Sequence, residues 1–451
     1  MIKKYFDTKN NFYELFNTKT GFYMRSGILD KDGKDTGIDP FMRSFPSLID
    51  VGVMATCIHG KTGLCAKSGV QCYQNGLNSC APNMTLENYK KIIDEGKEKG
   101  LQQVALGGCG DPDMHENFEE ILRYSAENYI VPNFTTSGLG MTKEKAELCK
   151  KYCGAVAVSQ YSRVEDTIPD IAWRIIDSSE ERKVYKSMED IPALWTLGDS
   201  NPDCYWEAPH YIINGKSYNW DEPHHITFSD EPQEYEYFRV YNEKNSLRHN
   251  DCKNYTMDAV QMLLEAGVKT NIHFVLGNNT IDEAILRLKY NGFPKGINAV
   301  IFLLHKPVGL GKESNVLSAD DERLAEFFSL IENIKHPFKI GFDSCTVPAI
   351  LTYSKKIMPE SIDSCEGGRF SMYITADMLA LPCSFDNQEK IWAYDLKGSS
   401  IENAWNSKQF NDFRSHFHNS CKGCKNRTSC YGGCPIRRNI VICKNKEKDL
   451  R

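Results

Sequence analysis

The sequence predicts an α/β fold built on a parallel sheet. Three observations lead there. Between residues 47 and 342, short apolar runs alternate with amphipathic stretches in about six strand–helix units. Glycines and small polar residues follow the strand ends. Composition, at 41% hydrophobic and 25% charged, allows a large core and excludes a disordered chain. Such alternation suits an open doubly wound sheet or a complete or partial barrel. In either case ligands bind at the carboxyl ends of the strands.

The elements follow in order. Residues 1–46 form an N-terminal extension, too short and unpatterned for a peptide-binding domain. Residues 47–53 (SLIDVGV) make the first strand and lead into a cysteine group. Residues 86–99 are helical. Residues 103–106 (QVAL) form a strand ending in Gly107-Gly108. Residues 115–126 put Phe118, Ile121 and Leu122 on one helical face. A strand at 130–135, a Ser137-Gly138 turn, a helix at 142–152 and a strand at 155–159 come next. Thr256 caps a helix that Gly267 stops, and 269–276 (KTNIHFVL) is a strand. In the next helix, Thr280 and Glu283 make a capping box, each side chain satisfying an orphan N–H. A strand at 298–304, a helix opened by Ser318-Ala-Asp-Asp321 and a strand at 338–342 complete the series.

One stretch, about 163–255, breaks the alternation. It is rich in acidic, aromatic and Pro residues and too long for an ordinary loop. It reads as an inserted subdomain or lid near the site mouth. Cys204, His210, His224, His225 and Cys252 lie within it, but their spacing fits no zinc motif.

The charge balance is 54 basic against 60 acidic residues, a net −6. No nucleic-acid partner is expected from it. No run of about 18 apolar residues offers a membrane span. The first residues, MIKKYFDTKNNFYELF, lack the pattern of a signal peptide, so a cytoplasmic protein is expected. In that compartment the 17 cysteines stay reduced, and clustered ones bind metal.

The strongest cluster is C-x2-C-x5-C-x3-C: Cys421, Cys424, Cys430 and Cys434, with Gly432-Gly433 inside it. Glycine frees the backbone to turn thiolates inward. Structural zinc modules usually carry two C-x2-C arms, and only the first pair here fits. Iron–sulfur clusters accept more varied spacing.

With Cys365, Cys383 and Cys443, this run resembles a SPASM domain, the C-terminal module of many radical S-adenosylmethionine (SAM) enzymes. The family glycine before the second cysteine falls on Met378 here, so the turn is expected to differ. The resemblance implies two auxiliary 4Fe–4S clusters. Cys421, Cys424, Cys430 and Cys443 would hold one. Cys365, Cys383, Cys434 and Cys345 would hold the other.

The first cysteine group departs from the radical SAM motif C-x3-C-x2-C. Its frame survives in Cys65-Ala-Lys-Ser-Gly69-Val-Gln-Cys72, with Gly69 at the middle position. Cys57 is the nearest upstream replacement and Cys80 the competitor. Leu106-Gly-Gly-Cys-Gly-Asp-Pro112 resembles the family's GGE motif, with Asp111 in place of Glu. The resemblance assigns Cys57, Cys65 and Cys72 to a first 4Fe–4S cluster, three clusters in all. Gly107, Gly108, Gly110, Asp111, Ser137 and Ser159 are candidates for binding SAM. His273 reads as a satisfied core or pore residue. Cys109, Asp111 and Asp386 are possible proton or ligand groups, and Cys149 and Cys153 packing thiols.

The implied architecture is a partial (β/α)6 TIM-like barrel over 47–337, interrupted by the insert. A SPASM-like cluster-binding domain follows over 338–451. The implied activity is reductive cleavage of SAM to a 5′-deoxyadenosyl radical that modifies a ribosomally made peptide or protein. A flavodoxin- or ferredoxin-type electron donor would be its redox partner. The alternatives are a radical enzyme acting on a small molecule or nucleic acid, and a non-enzymatic zinc or iron–sulfur protein.

Overall fold

The computed structural model describes residues 1–58, 72–74, 81–159, 255–289, 291–358, 361–417, 421 and 423–444, and the backbone of six strands between 170 and 242. Cys65, Gly69, Cys80 and Cys252 lie outside these residues.

The chain opens with three antiparallel strands: β1 (Ile2–Asp7), β2 (Phe12–Asn17) and β3 (Tyr23–Arg25). Alternation in β2 buries Phe12, Glu14 and Phe16. The sequence reading did not find this sheet. Lys3 Nζ donates to the carbonyls of Leu101 (3.0 Å) and Tyr129 (2.9 Å), and Lys269 Nζ to that of Thr20 (3.0 Å). Leu101, Tyr129 and Lys269 each lie just before a strand of the main sheet. The N-terminal sheet therefore covers the amino ends of those strands, opposite the ends where ligands bind. A fully buried Arg43–Glu14 ion pair (3.0 Å) fastens it, and Gln102 donates to Glu14 at 2.8 Å.

The main sheet begins with β4 (Leu48–Met54). Helix α1 (Leu86–Lys99) follows, capped by the Thr85 hydroxyl and ended by Gly100 at φ 81°. Next come β5 (Gln103–Gly108), α2 (Phe118–Glu127), β6 (Val131–Thr136), α3 (Lys143–Tyr152) and β7 (Val156–Ser159). Then comes the insert, with β8 (Asp170–Ile175), β9 (Cys204–Glu207), β10 (His210–Ile213), β11 (Lys216–Trp220), β12 (His224–Thr227) and β13 (Glu234–Asn242). These strands form an antiparallel sheet in a separate compact unit, residues 162–254. The main series resumes with α4 (Tyr255–Glu265), β14 (Thr270–Leu276), α5 (Ile281–Lys289), β15 (Ala299–Leu304), α6 (Arg323–Asn333) and β16 (Lys339–Phe342).

Their order in the sheet is β16-β15-β14-β7-β6-β5-β4, every pair parallel. The order follows the chain without reversal. A doubly wound sheet reverses at a switch point, so this is the winding of a partial barrel.

The C-terminal region adds α7 (Val347–Tyr353), β17 (Ser371–Ile374), β18 (Leu379–Leu381), β19 (Tyr394–Asp395), α8 (Ile401–Trp405), α9 (Lys408–Ser415) and α10 (Arg427–Cys430). Strand β17 pairs in parallel with β4, and β18 and β19 follow antiparallel. The cysteine-rich module thus continues the barrel's own sheet.

Each strand presents two unlike faces. Ile49, Val51, Val104, Leu106, Val158, Ile272, Phe274, Val300 and Phe302 are buried in one hydrophobic core. On the other face, Asp50, Ala105, Asn133, Thr135, Ser159, Asn271 and His273 are only half-buried. A parallel strand usually buries both faces. Small and polar side chains on one face instead leave the barrel interior open.

Three local features bear on the sequence pattern. Thr280 turns its hydroxyl to the preceding turn, accepting from Gly277 N–H (2.9 Å) and donating to the Val275 carbonyl (2.7 Å). Its expected partner Glu283 takes the buried Arg287 at 2.8 Å. Thr256 sits inside α4 and donates to the Ser137 carbonyl at 3.0 Å. The third concerns Met378, which stands where the family has glycine. It adopts φ 68°, the left-handed conformation that glycine supplies, and its N–H bonds the Thr375 carbonyl at 3.0 Å.

Candidate functional site

The carboxyl end of β4 leads directly to Cys57, which is buried. The end of β5 lies against it. Cys109 N–H donates to the Met54 carbonyl at 2.8 Å. Gly108 has φ 118°, and a Cβ there would meet the Met54 carbonyl oxygen at 2.1 Å. A Cβ on Gly110 would meet the Thr56 oxygen at 2.4 Å. These two glycines let the β5 loop lie on the cysteine segment, a packing role that the sequence reading did not give them. Among the described residues nothing lies within 4 Å of where a Gly107 Cβ would be.

Cys72 returns to the same place. Leu310 N–H donates to its carbonyl at 2.9 Å, and the Cys109 thiol contacts the Gln74 carbonyl at 3.5 Å. Burial, then the neighbouring Cys72 and Cys57, push the Cys109 thiol up to about 11. The structure therefore brings Cys57, Cys72 and Cys109 together. Cys109 is the addition to the predicted group, marked in sequence only by standing at a strand end.

Asp111 and Ser137, predicted after successive strands, meet. Asp111 accepts from the Ser137 hydroxyl and from its N–H at 3.1 Å. Beside them Asp113 is buried and accepts from Thr136 at 2.8 Å, while its other oxygen has no hydrogen-bond partner among the described residues. Burial, then the Asp111 charge, raise it to about 6. The sequence reading missed Asp113. Ser159 ends β7 opposite His273 on β14. His273 faces the interior, 3.3 Å from the Thr135 hydroxyl, and burial lowers it to about 4. It is neutral at neutral pH, a pore residue. Asp50 faces the same interior, and burial raises it to about 7.

The C-terminal cysteines form two groups. Cys421, Cys424, Cys430 and Cys443 line one cavity of about 250 Å3, with Pro348 and Val441 in its wall. Lys425, Arg427, Arg438 and Lys444 also line it, cations that suit an anionic thiolate cluster. Burial raises Cys430 to about 11, and Cys421 and Cys443 add to the shift. In the other group, Cys345 is raised by a hydrogen bond to Cys434 and then by burial. Burial, then Cys345, push Cys365 up to about 12; Cys383 is raised by burial and then by Cys365 and Cys345. Gly367 sits beside this group, and a Cβ there would meet the Pro382 carbonyl oxygen at 2.8 Å, so a side chain would push on the segment that carries Cys383.

Among the described residues no three His, Cys, Asp or Glu side chains close around a single ion. The donor set instead fits iron and sulfide: eight thiols in two groups of four, one of them spread around a cavity. Such thiols repel one another as thiolates, and bound iron supplies the opposing charge.

The remaining candidates lie elsewhere in the fold. Asp386 accepts from the N–H groups of Ile391 and Trp392, both at 3.0 Å, and so holds a loop. Cys149 is buried in the hydrophobic core and Cys153 packs against it, as expected of packing thiols. Cys204, His210, His224 and His225 lie in the strands of the insert. Among the described residues no helix is long and apolar enough to cross a membrane.

Comparison with known proteins agrees with this geometry. Residues 365–426 match SPASM, an iron–sulfur cluster-binding domain. No curated protein matches the chain in sequence. Among solved structures, the fold is similar to that of SuiB from Streptococcus suis bound to S-adenosylmethionine. The TM-score is 0.53 at 14% identity, over 87% of this chain and 74% of that one. SuiB bound to its precursor peptide SuiA gives a TM-score of 0.54 at 13% identity, over 89% and 77%. The chain therefore carries a SPASM iron–sulfur domain on a partial-barrel fold shared with SuiB.

Proposed function

We propose that this chain is a radical SAM enzyme that modifies a ribosomally made peptide or protein. The observation that carries the reading is a continuity. Strand β17 of the SPASM domain pairs with β4, and β4 ends at Cys57. One sheet thus links the C-terminal cysteines to the open end of the barrel.

In this reading Cys57, Cys65 and Cys72 hold the first cluster. Cys421, Cys424, Cys430 and Cys443 hold the second, and Cys345, Cys365, Cys383 and Cys434 the third. When bound, reduced iron–sulfur cluster and SAM together supply a 5′-deoxyadenosyl radical that abstracts a substrate hydrogen. The chain's residues do the rest. Gly107, without a side chain at the end of β5, would let SAM's amino acid portion approach the backbone. Asp111, aligned by Ser137, offers a carboxylate to an ammonium group. Gly108 and Gly110 hold that loop on the Cys57 segment, and Ser159 offers a hydroxyl at the end of β7. The N-terminal sheet covers the amino ends of the strands and keeps water from entering there. SuiB, which shares the fold, was crystallised with a precursor peptide, which favours a peptide substrate here too. A flavodoxin- or ferredoxin-type protein would supply electrons.

The test is anaerobic purification followed by iron, sulfide and zinc analysis. About twelve irons per chain are expected. Dithionite with SAM should release 5′-deoxyadenosine. Cys57→Ala, Cys65→Ala and Cys72→Ala should each abolish that release and lower the iron to about eight. Zinc in place of iron, or eight irons in the unaltered chain, would sink the reading.

A further inference from the structure

Lys306 follows β15 and is a buried lysine, its side chain 6% exposed. Its ammonium pairs with Asp343 and lies 4.6 Å from the centre of the Phe385 ring. Both partners stand two residues from a cysteine of one group. Asp343 precedes Cys345, and Phe385 follows Cys383. Both thiols act on the ammonium electrostatically. Asp343 is itself fixed, accepting from Thr346 (2.8 Å) and from Leu304 N–H (3.2 Å).

The same contacts reach the barrel cysteines. Phe385 packs on Tyr73, ring centres 4.7 Å apart, and Asn387 donates to Gln74 at 3.0 Å. Tyr73 and Gln74 directly follow Cys72. The segment after Lys306 also holds Cys72, through Leu310 and through Gly309, where a Cβ would meet the Cys72 oxygen at 2.7 Å. A buried cation therefore stands where the SPASM cysteines meet the barrel cysteines. A structural lysine would be as well served by solvent, since burying an ion pair costs desolvation that pairing barely recovers.

From this placement we infer that Lys306 is a positioning residue whose charge makes the cluster held by Cys345, Cys365, Cys383 and Cys434 easier to reduce. The inference rests on the proposed function, which places iron and sulfide on those thiols. One-electron reduction adds one negative charge to a cluster, and a fixed cation nearby stabilises that form. A unit charge within roughly 10 Å at an effective dielectric near 20 changes such an equilibrium on the order of tenfold.

The test is a potentiometric titration of the full chain, followed by electron paramagnetic resonance. Cys57→Ala/Cys72→Ala in the background removes the first cluster's signal. Lys306→Met should lower the reduced-to-oxidised ratio at a fixed potential about tenfold, about 59 mV for one electron. Asp343→Asn leaves the ammonium uncompensated and should raise the ratio. Lys306→Arg keeps the charge and should restore the unaltered value. The cluster on Cys421, Cys424, Cys430 and Cys443 should move less in every variant. Structural damage would shift both substitutions the same way, so equal signs or no shift overturns the inference while the clusters stand. Absence of any iron–sulfur signal in the unaltered chain overturns the proposed function with it.

Discussion

Gly433 is the position where backbone conformation, packing and the iron site meet, so its replacement by alanine gives a sharp prediction. It has φ 78°, and a Cβ there would lie 3.0 Å from Pro348 Cγ and from both Val441 γ-carbons. The left-handed conformation costs a non-glycine residue about 1–2 kcal/mol. Forcing a methyl into packed surroundings costs about 1–3 kcal/mol more. Gly433→Ala should therefore destabilise the module by about 2–5 kcal/mol. Gly423, between Cys421 and Cys424, has φ 80° but, among the described residues, nothing within 4 Å of its would-be Cβ. Gly423→Ala should cost only the conformational part, about 1–2 kcal/mol. Pro348 and Val441 also line the cavity of the four cysteines, so displacing them disturbs the donors. The assay is an anaerobic thermal scan with iron analysis on both variants. Gly433→Ala should melt lower and lose iron, while Gly423→Ala retains it. Equal melting and equal iron would refute the packing argument.

Two further predictions concern the barrel and the Met378 turn. Burial raises Asp50 from 3.8 to about 7, so over that interval the folded chain binds more protons than the unfolded one. Its contribution to stability falls as pH rises through the window, and Asp50→Asn abolishes that fall. The variant should gain in melting temperature relative to the unaltered chain between pH 5 and 8; a constant difference would exclude the titration. Met378 is strained at φ 68° yet buried. Met378→Gly relieves about 1–2 kcal/mol of strain but removes a side chain worth about 2–5 kcal/mol. Denaturation should show a net loss, and a gain would mean that strain outweighs packing.

Much of the barrel was legible because its elements carry local signals. Thr85 and Gly100 bracket α1, and apolar runs of the right length mark β4 to β7, β14 and β15. The N-terminal strands were not legible. Their alternation is short, and their stability comes from contacts far along the chain, such as Glu14 with Gln102. The capping box at Thr280 failed for a similar reason. A buried Arg287 one turn on competes for Glu283, and local pattern cannot weigh that competition. Met378 takes a left-handed conformation without being glycine, because the β17–β18 hairpin and a buried side chain sustain a strained residue.

The site divides along the same line. Sequence alone determined which residues could carry chemistry: the spacing from Cys421 to Cys434, the companions Cys365, Cys383 and Cys443, and the glycine run after β5. Residue type and close spacing are local properties, and thiolate chemistry depends first on them. Only the tertiary structure decided which of these residues meet. It chose one-way winding over a reversed sheet and joined β17 to β4. It brought Asp111 onto Ser137, set Cys109 beside Cys57 and Cys72, and placed Lys306 between two cysteine groups. Those pairings join segments tens to hundreds of residues apart. Packing and hydrogen bonding among them select a partner, and spacing along the chain carries no record of that choice.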